Sequence, residues 1–251
     1  MENQKKQRLH LLDALRGLTL ISMIAFHGMW DLVYIAGVPC PWYSGTPGYL
    51  WQQSICWTFI LLSGFCWSMS RNHLRRGLLV FGGGAVVSLV TCLLMPDSRI
   101  LFGILTCLGS CMLLMIPLEK LLGRIPAGWG AVMAAVMFFL LRNCAEHQLG
   151  FEGIVIAGLP DWLYRNMLTA YLGFPMGGFY SMDYFPLIPW LALFVLGYFL
   201  NRICREKGWD QKLFARGQLP VLNWIGRRSL MVYLLHQPVL YGLCMIYLYL
   251  K

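Results

Sequence analysis

Charge is scarce in this chain, and acidic charge scarcest: 251 residues hold 11 Asp and Glu against 20 Lys and Arg, and charged residues make up 12% of the total. So little charge cannot solvate the outer faces of an ordinary soluble bundle, and it leaves no separate soluble domain. The 9 cysteines nowhere fall in the C-x-x-C spacing of a zinc or redox site, and the 5 histidines are scattered, so no metal centre is written into the sequence. Cys40 and Cys144, both outside the apolar runs, are the two that a disulfide would join. Gly82, Gly83 and Gly84 are followed by no Lys-Ser or Lys-Thr pair, which excludes a phosphate loop and leaves a close helix contact. The opening "MENQKKQR" mimics the start of a signal peptide, yet Asp13 and Arg16 interrupt the apolar run behind it and no small-residue cleavage site follows.

What the chain has in abundance is apolar surface, with 58% hydrophobic residues. Runs at about 10–36, 48–70, 74–95, 100–119, 126–142, 184–202 and 227–250 are long enough to cross roughly 30 Å of hydrocarbon. The expected fold is all-α, a polytopic integral membrane helix bundle of about seven transmembrane helices forming a single domain over residues 1–251. With the N-terminus cytoplasmic, only Arg99, Arg142, Arg165 and Lys251 fall in outer segments, and Arg16 lies within a helix. The remaining Lys and Arg, including Lys5, Lys6, Arg8, Lys212 and Arg216, fall inside, as the positive-inside rule requires. That asymmetry accounts for much of the net charge of +9 without nucleic acid, and the basic loops suit anionic membrane lipids. The outer loop segment 143–183 is less apolar. Within it "DWLYRNMLTAYL", from Asp161 to Leu172, reads as a helix lying in the interface.

An ionisable side chain near the bilayer centre costs at least roughly 2.5 kcal/mol. Asp13, Arg16, His27 and Asp31, in "LDALRGLTLISMIAFHGMWDL", therefore each call for a partner, a cavity or a substrate. Arg16 and His27 are about three turns apart on one helix face, roughly 16 Å along the axis, and Asp31 lies one turn beyond His27. Asp13 is within pairing reach of Arg16, where an ion pair would fix the cytoplasmic end of the helix. His27 serves either as interhelical glue or, with Asp31, as an imidazole oriented by a carboxylate.

A second constellation lies in "NWIGRRSLMVYLLHQPVLYG", where Arg227 and Arg228 mark a cytoplasmic entrance and His236 lies about 12 Å deeper. Pro238 removes a backbone donor beside His236 and Gln237, so polar groups there need partners. Asp183, in "DYFPLIPW", either caps a helix start or works in the site.

These stretches, with "ILFGILTCLGS" and "DYFPLIPWLALFVLGYFLNR", occur in the order and character of bacterial proteins that resemble the catalytic domain of heparan-alpha-glucosaminide N-acetyltransferase. The resemblance covers nearly the whole chain. The separation of Arg16 and His27 is also similar to that in a wider group of membrane acyltransferases that modify cell-envelope sugars.

The resemblance implies transfer of an acyl group, usually acetyl, from cytosolic acyl-CoA to an amine or hydroxyl of an extracytoplasmic amino sugar or glycan. It implies a multi-pass protein of a bacterial plasma membrane, acetyl-CoA as donor and no metal. His27 would be the general base, with Asp31 or Asp183 orienting the ring; in a variant it carries the acetyl group covalently. Arg16, Arg71, Arg75, Arg76, Arg227 and Arg228 would hold the CoA phosphates, and Arg16 or His236 would line the donor channel. A proton-coupled transporter or flippase would also use intramembrane Arg, His and Asp, although no internal repeat with paired broken helices accompanies them here. Small-residue faces would serve a homo-oligomer or internal packing equally.

Overall fold

In the computed structural model, residues 10–209 and 219–251 are described. Lys5, Lys6, Arg8, Lys212 and Arg216 lie outside them. Among the described residues six helices are long and apolar enough to cross a membrane: His10–Ile35, His73–Leu94, Ile104–Leu122, Ala127–Glu146, Leu187–Glu206 and Ser229–Leu250. The second expected span is also a helix, α2 (Thr46–Phe65), but Gln52, Gln53 and Ser54 lower its hydropathy below that of the six. The protein is an all-α membrane helix bundle.

The chain divides into two compact units, one made of the segments through Phe59 and from Cys204 onward, the other of Ile60–Ile203. In the first, α1 (His10–Trp30) runs into a π-helical turn at Asp31–Ile35. Its widened geometry shows in Ala36 N–H donating to the Asp31 carbonyl at 3.0 Å. After the start of α2 the unit resumes with α8 (Pro220–Arg227) and α9 (Ser229–Leu250). Within the apolar run expected from residue 227, the helix begins only at Ser229, and the segment before it forms the separate short α8, which the hydropathy pattern did not mark. Proline at its first turn and the break at Arg228 set its ends. The glycines explain its place: a Cβ on Gly17 would strike the Leu222 carbonyl, and one on Gly226 the Asp13 carbonyl, so α1 and α8 touch backbone to backbone. Leu20, Met23 and Ile55 form the unit's core, flanked by Phe26, Trp51, Ile225, Val232 and Tyr233.

The second unit holds the end of α2, then α3 (His73–Leu94), α4 (Ile104–Leu122), α5 (Ala127–Leu141), α6 (Met167–Leu172) and most of α7 (Leu187–Glu206). Glycines again set the crossings. Gly84 of the expected close contact packs against Thr106, Gly109 against Phe81, Gly64 against the Phe194 carbonyl, and Gly197 against the Leu61 carbonyl. Polar bonds join the same helices: Ser68 Oγ donates to Asn201 Oδ1 at 2.8 Å and Arg202 to the carbonyls of Leu122 and Ile125.

The outer segment carries a hairpin, β1 (Gln148–Phe151) with β2 (Ile154–Gly158), paired antiparallel. The stretch from Asp161 to Leu172 is two pieces, a 3₁₀ turn at Asp161–Leu163 and α6. Asn166 divides them, because its side chain caps α6 by accepting from the N–H groups of Leu168 and Thr169. Among the described residues no disulfide is present, and Cys40 and Cys144 are both unbridged.

Candidate active site

The polar residues of α1 and α9 converge in the first unit. Asp31, 1% exposed, sits where α1 widens into the π turn. Gln237 Nε2 donates to its Oδ1 at 3.0 Å, and Cys244 Sγ approaches its backbone carbonyl at 3.7 Å. The residue beside Gln237, His236, is buried, and its Nδ1 bonds the Tyr233 carbonyl. A carbonyl only accepts, so Nδ1 carries the proton and Nε2 presents a lone pair. His27 lies across from it, with ring centroids 5.0 Å apart and planes inclined by 56°. Phe26 meets the His27 ring edge to face at 5.8 Å.

The balance of donors and acceptors in this cluster is one-sided. Asp31 Oδ2, His236 Nε2 and Gln237 Oε1 are buried and bonded to none of the described residues. All three are acceptors. A buried acceptor without a donor costs roughly 1–3 kcal/mol, so the cluster has room in its hydrogen bonding for a group that brings N–H or O–H.

Arg16 is at the other end of the same helix face. Its Nη1 pairs with Asp13 Oδ1 at 3.3 Å, beside the crossing of α1 with α8. Arg227 and Arg228 are exposed at the α8–α9 junction, where the Arg228 guanidinium lies 4.4 Å over the Trp224 ring.

The other expected residues belong to the second unit. Arg71, Arg75 and Arg76 flank the start of α3, whose N-cap Asn72 accepts from Arg75 N–H. Arg71 and Arg75 are exposed. Arg76 is half-buried in a small cleft with Ser63, Trp67, Ser70, His73 and Met112. Asp183 caps a helix, though α4 and not the one it precedes: Ile104 N–H donates to its Oδ2 at 3.3 Å. Burial pushes its carboxyl up to about 6 against the opposing pull of that hydrogen bond.

Two features of the site escaped pattern reading. Gln237 as the partner of Asp31 is signalled only by its being an uncharged polar residue in an apolar run. The ring cluster around Phe26, which joins Tyr43 at 5.1 Å and Trp51 at 5.3 Å, is signalled only by local aromatic density.

Apolar helices around a buried His/Asp/Gln cluster define an integral membrane protein with a polar site inside one helix group. Residues 8–238 match the family model described as heparan-alpha-glucosaminide N-acetyltransferase, catalytic, and the chain belongs to that family of membrane acetyltransferases. No curated protein and no solved structure matches it.

Proposed function

We propose that the protein moves an acyl group, in the first instance acetyl, from cytosolic acyl-CoA to an amine or hydroxyl of a sugar on the extracytoplasmic side of a bacterial plasma membrane. The observation that carries this reading is the donor-poor cluster of Asp31, His236 and Gln237 beside His27. An acceptor amine or hydroxyl supplies the missing donors, and bonding to these atoms aims its lone pair away from them toward the thioester.

His27 acts as general base. As the nucleophile attacks the thioester carbonyl, the imidazole takes its proton, the tetrahedral intermediate collapses with cleavage of the C–S bond, and the same proton passes to the departing thiolate. His236 Nε2, buried without a partner, accepts from the substrate, and Asp31, held by Gln237, fixes the acceptor. Arg16, Arg227 and Arg228 supply cations suited to the donor's phosphates. Arg71, Arg75 and Arg76, and Asp183, whose carboxylate caps α4, enter the same assay by substitution.

The test is transfer of radiolabelled acetyl from acetyl-CoA to amino sugars and envelope glycans by purified protein in liposomes. Label should reach a sugar with the parent, and His27→Ala should lower the rate at least about 100-fold while eluting as a folded species. Full transfer by that variant, or a parent that neither transfers acetyl nor binds CoA, would remove the assignment.

A further inference from the structure

Beyond His27 the ring contacts continue into the segment that follows α1 and the start of α2. From Phe26 they pass to Trp51 at 5.3 Å and from Trp51 to Trp42 at 6.1 Å, where the two indoles stack with planes inclined by only 27°. The inner rings are fastened. Trp51 Nε1 donates to Ser22 Oγ at 2.8 Å, and the Tyr43 hydroxyl donates to the Phe26 carbonyl at 2.9 Å. The outer rings are open, since Trp42 is 49% and Tyr34 56% exposed. Tyr34 flanks Tyr43 at 6.3 Å and donates to Ser44 Oγ at 3.4 Å, so exposed hydroxyls belong to the same ring cluster.

We propose that the exposed Trp42 face, with Tyr34 and Ser44 in the same cluster, is a stacking platform for a pyranose ring, one that neighbours the sugar receiving the acyl group. An indole backed by a second indole offers a flat, rigid π-surface, and the axial C–H bonds of a pyranose are its natural complement. The hydroxyls of the cluster match those of a sugar and have no counterpart in an acyl chain. Three ring-to-ring steps separate Trp42 from His27, so the platform holds a sugar beyond the reacting one. The acceptor class is therefore a glycan of at least two sugars, in preference to a free monosaccharide. This rests on the transferase reading above and on the outward-facing end of α1.

The experiment compares free glucosamine with its β-1,4-linked tetramer as acceptors of radiolabelled acetyl, using the full chain in liposomes. With the parent, the tetramer should have the lower KM. Trp42→Ala should raise the tetramer KM about tenfold and that of free glucosamine less than twofold, with the acetyl-CoA KM read alongside as the control. Trp42→Phe, which keeps a ring, should fall between. Equal changes for both acceptors, or no change, overturn the platform and leave the transferase standing.

A second measurement does not need turnover. The tetramer should alter the emission that parent protein has and Trp42→Phe lacks, whereas brominated phospholipid should not quench it. Tetramer-sensitive emission without acetyl transfer would keep the platform and remove the transferase reading. Quenching by brominated lipid alone, or no response to either probe, would make Trp42 an interfacial ring and end the proposal.

Discussion

The hydrogen bond from Gln237 to Asp31 joins two positions far apart in sequence, and the rest of the cluster depends on its polarity. Gln237→Glu replaces the donor with a second acceptor beside a buried carboxylate. It should destabilise the protein by about 1–3 kcal/mol. Adding Asp31→Asn returns a donor to the pair and should recover most of that loss, as measured by thermal unfolding of the single and double variants; a purely additive double variant would mean the two side chains do not interact. Asp183 gives a pH dependence of the opposite sense to a typical carboxylate. Its folded pKa, about 6, lies above the ordinary aspartate value of 3.8. The folded state therefore holds the proton more tightly, and this contribution to stability, at most about 3 kcal/mol, is complete below about pH 4 and lost as pH rises through about 6. Unfolding followed from pH 4 to 7 should show the decline in the parent and its absence in Asp183→Asn.

Helix contacts in this protein are set less by large side chains than by the lack of them. Gly17 and Gly226 let α1 and α8 meet at the backbone, whereas Gly242 in α9 has nothing within 4 Å of an added Cβ. Gly17→Val should force the crossing apart and lower stability by about 1–3 kcal/mol. Gly242→Ala should change it by no more than about 1 kcal/mol, in the stabilising direction that helix propensity favours. Equal effects of the two substitutions would show that the crossing is not a tight one. The same contrast explains what could be read in advance. Hydropathy marks a long apolar run wherever it occurs, so α3, α4, α5 and α7 lie within a few residues of expectation. It does not mark α8, whose Asn223 and Arg227 break the run, nor the hairpin, whose strands hold only four and five residues. The site was legible to the same degree. His27, Asp31 and His236 stand out as costly polar residues in apolar segments. Which of them meet depends on the π turn and on how α9 packs, and no periodicity encodes that.

For the whole molecule, the question is whether α2 crosses the membrane, since its hydropathy leaves it outside the six most apolar helices. With a cytoplasmic N-terminus, the distribution of positive charge favours a crossing. If α2 crosses and the N-terminus is cytoplasmic, Arg71, Arg75 and Arg76 fall on the same side as Lys120, Arg124, Arg202, Arg205, Lys207, Arg227 and Arg228, leaving Arg99, Arg142, Arg165 and Lys251 opposite. If α2 does not cross, every later segment changes sides and the cation-rich loops become extracytoplasmic, against the positive-inside rule. Gln52, Gln53 and Ser54 are tolerable in a span when neighbours bond them, and Ser54 Oγ and Gln53 Oε1 already bond within the helix, to the Trp51 carbonyl and from Trp57 Nε1. The two arrangements differ at Cys40 and Cys204, which are both half-buried and lie before and after an odd or an even number of crossings. With seven spans they face opposite sides; with six they face the same one. In right-side-out vesicles a membrane-impermeant maleimide should label Cys40, as identified by loss of the mark in Cys40→Ser, and should reach Cys204 only after the vesicles are opened. Labelling of both from outside would place α2 on the surface of the bilayer and move the α7–α9 connection, with Arg227 and Arg228, away from any cytosolic donor.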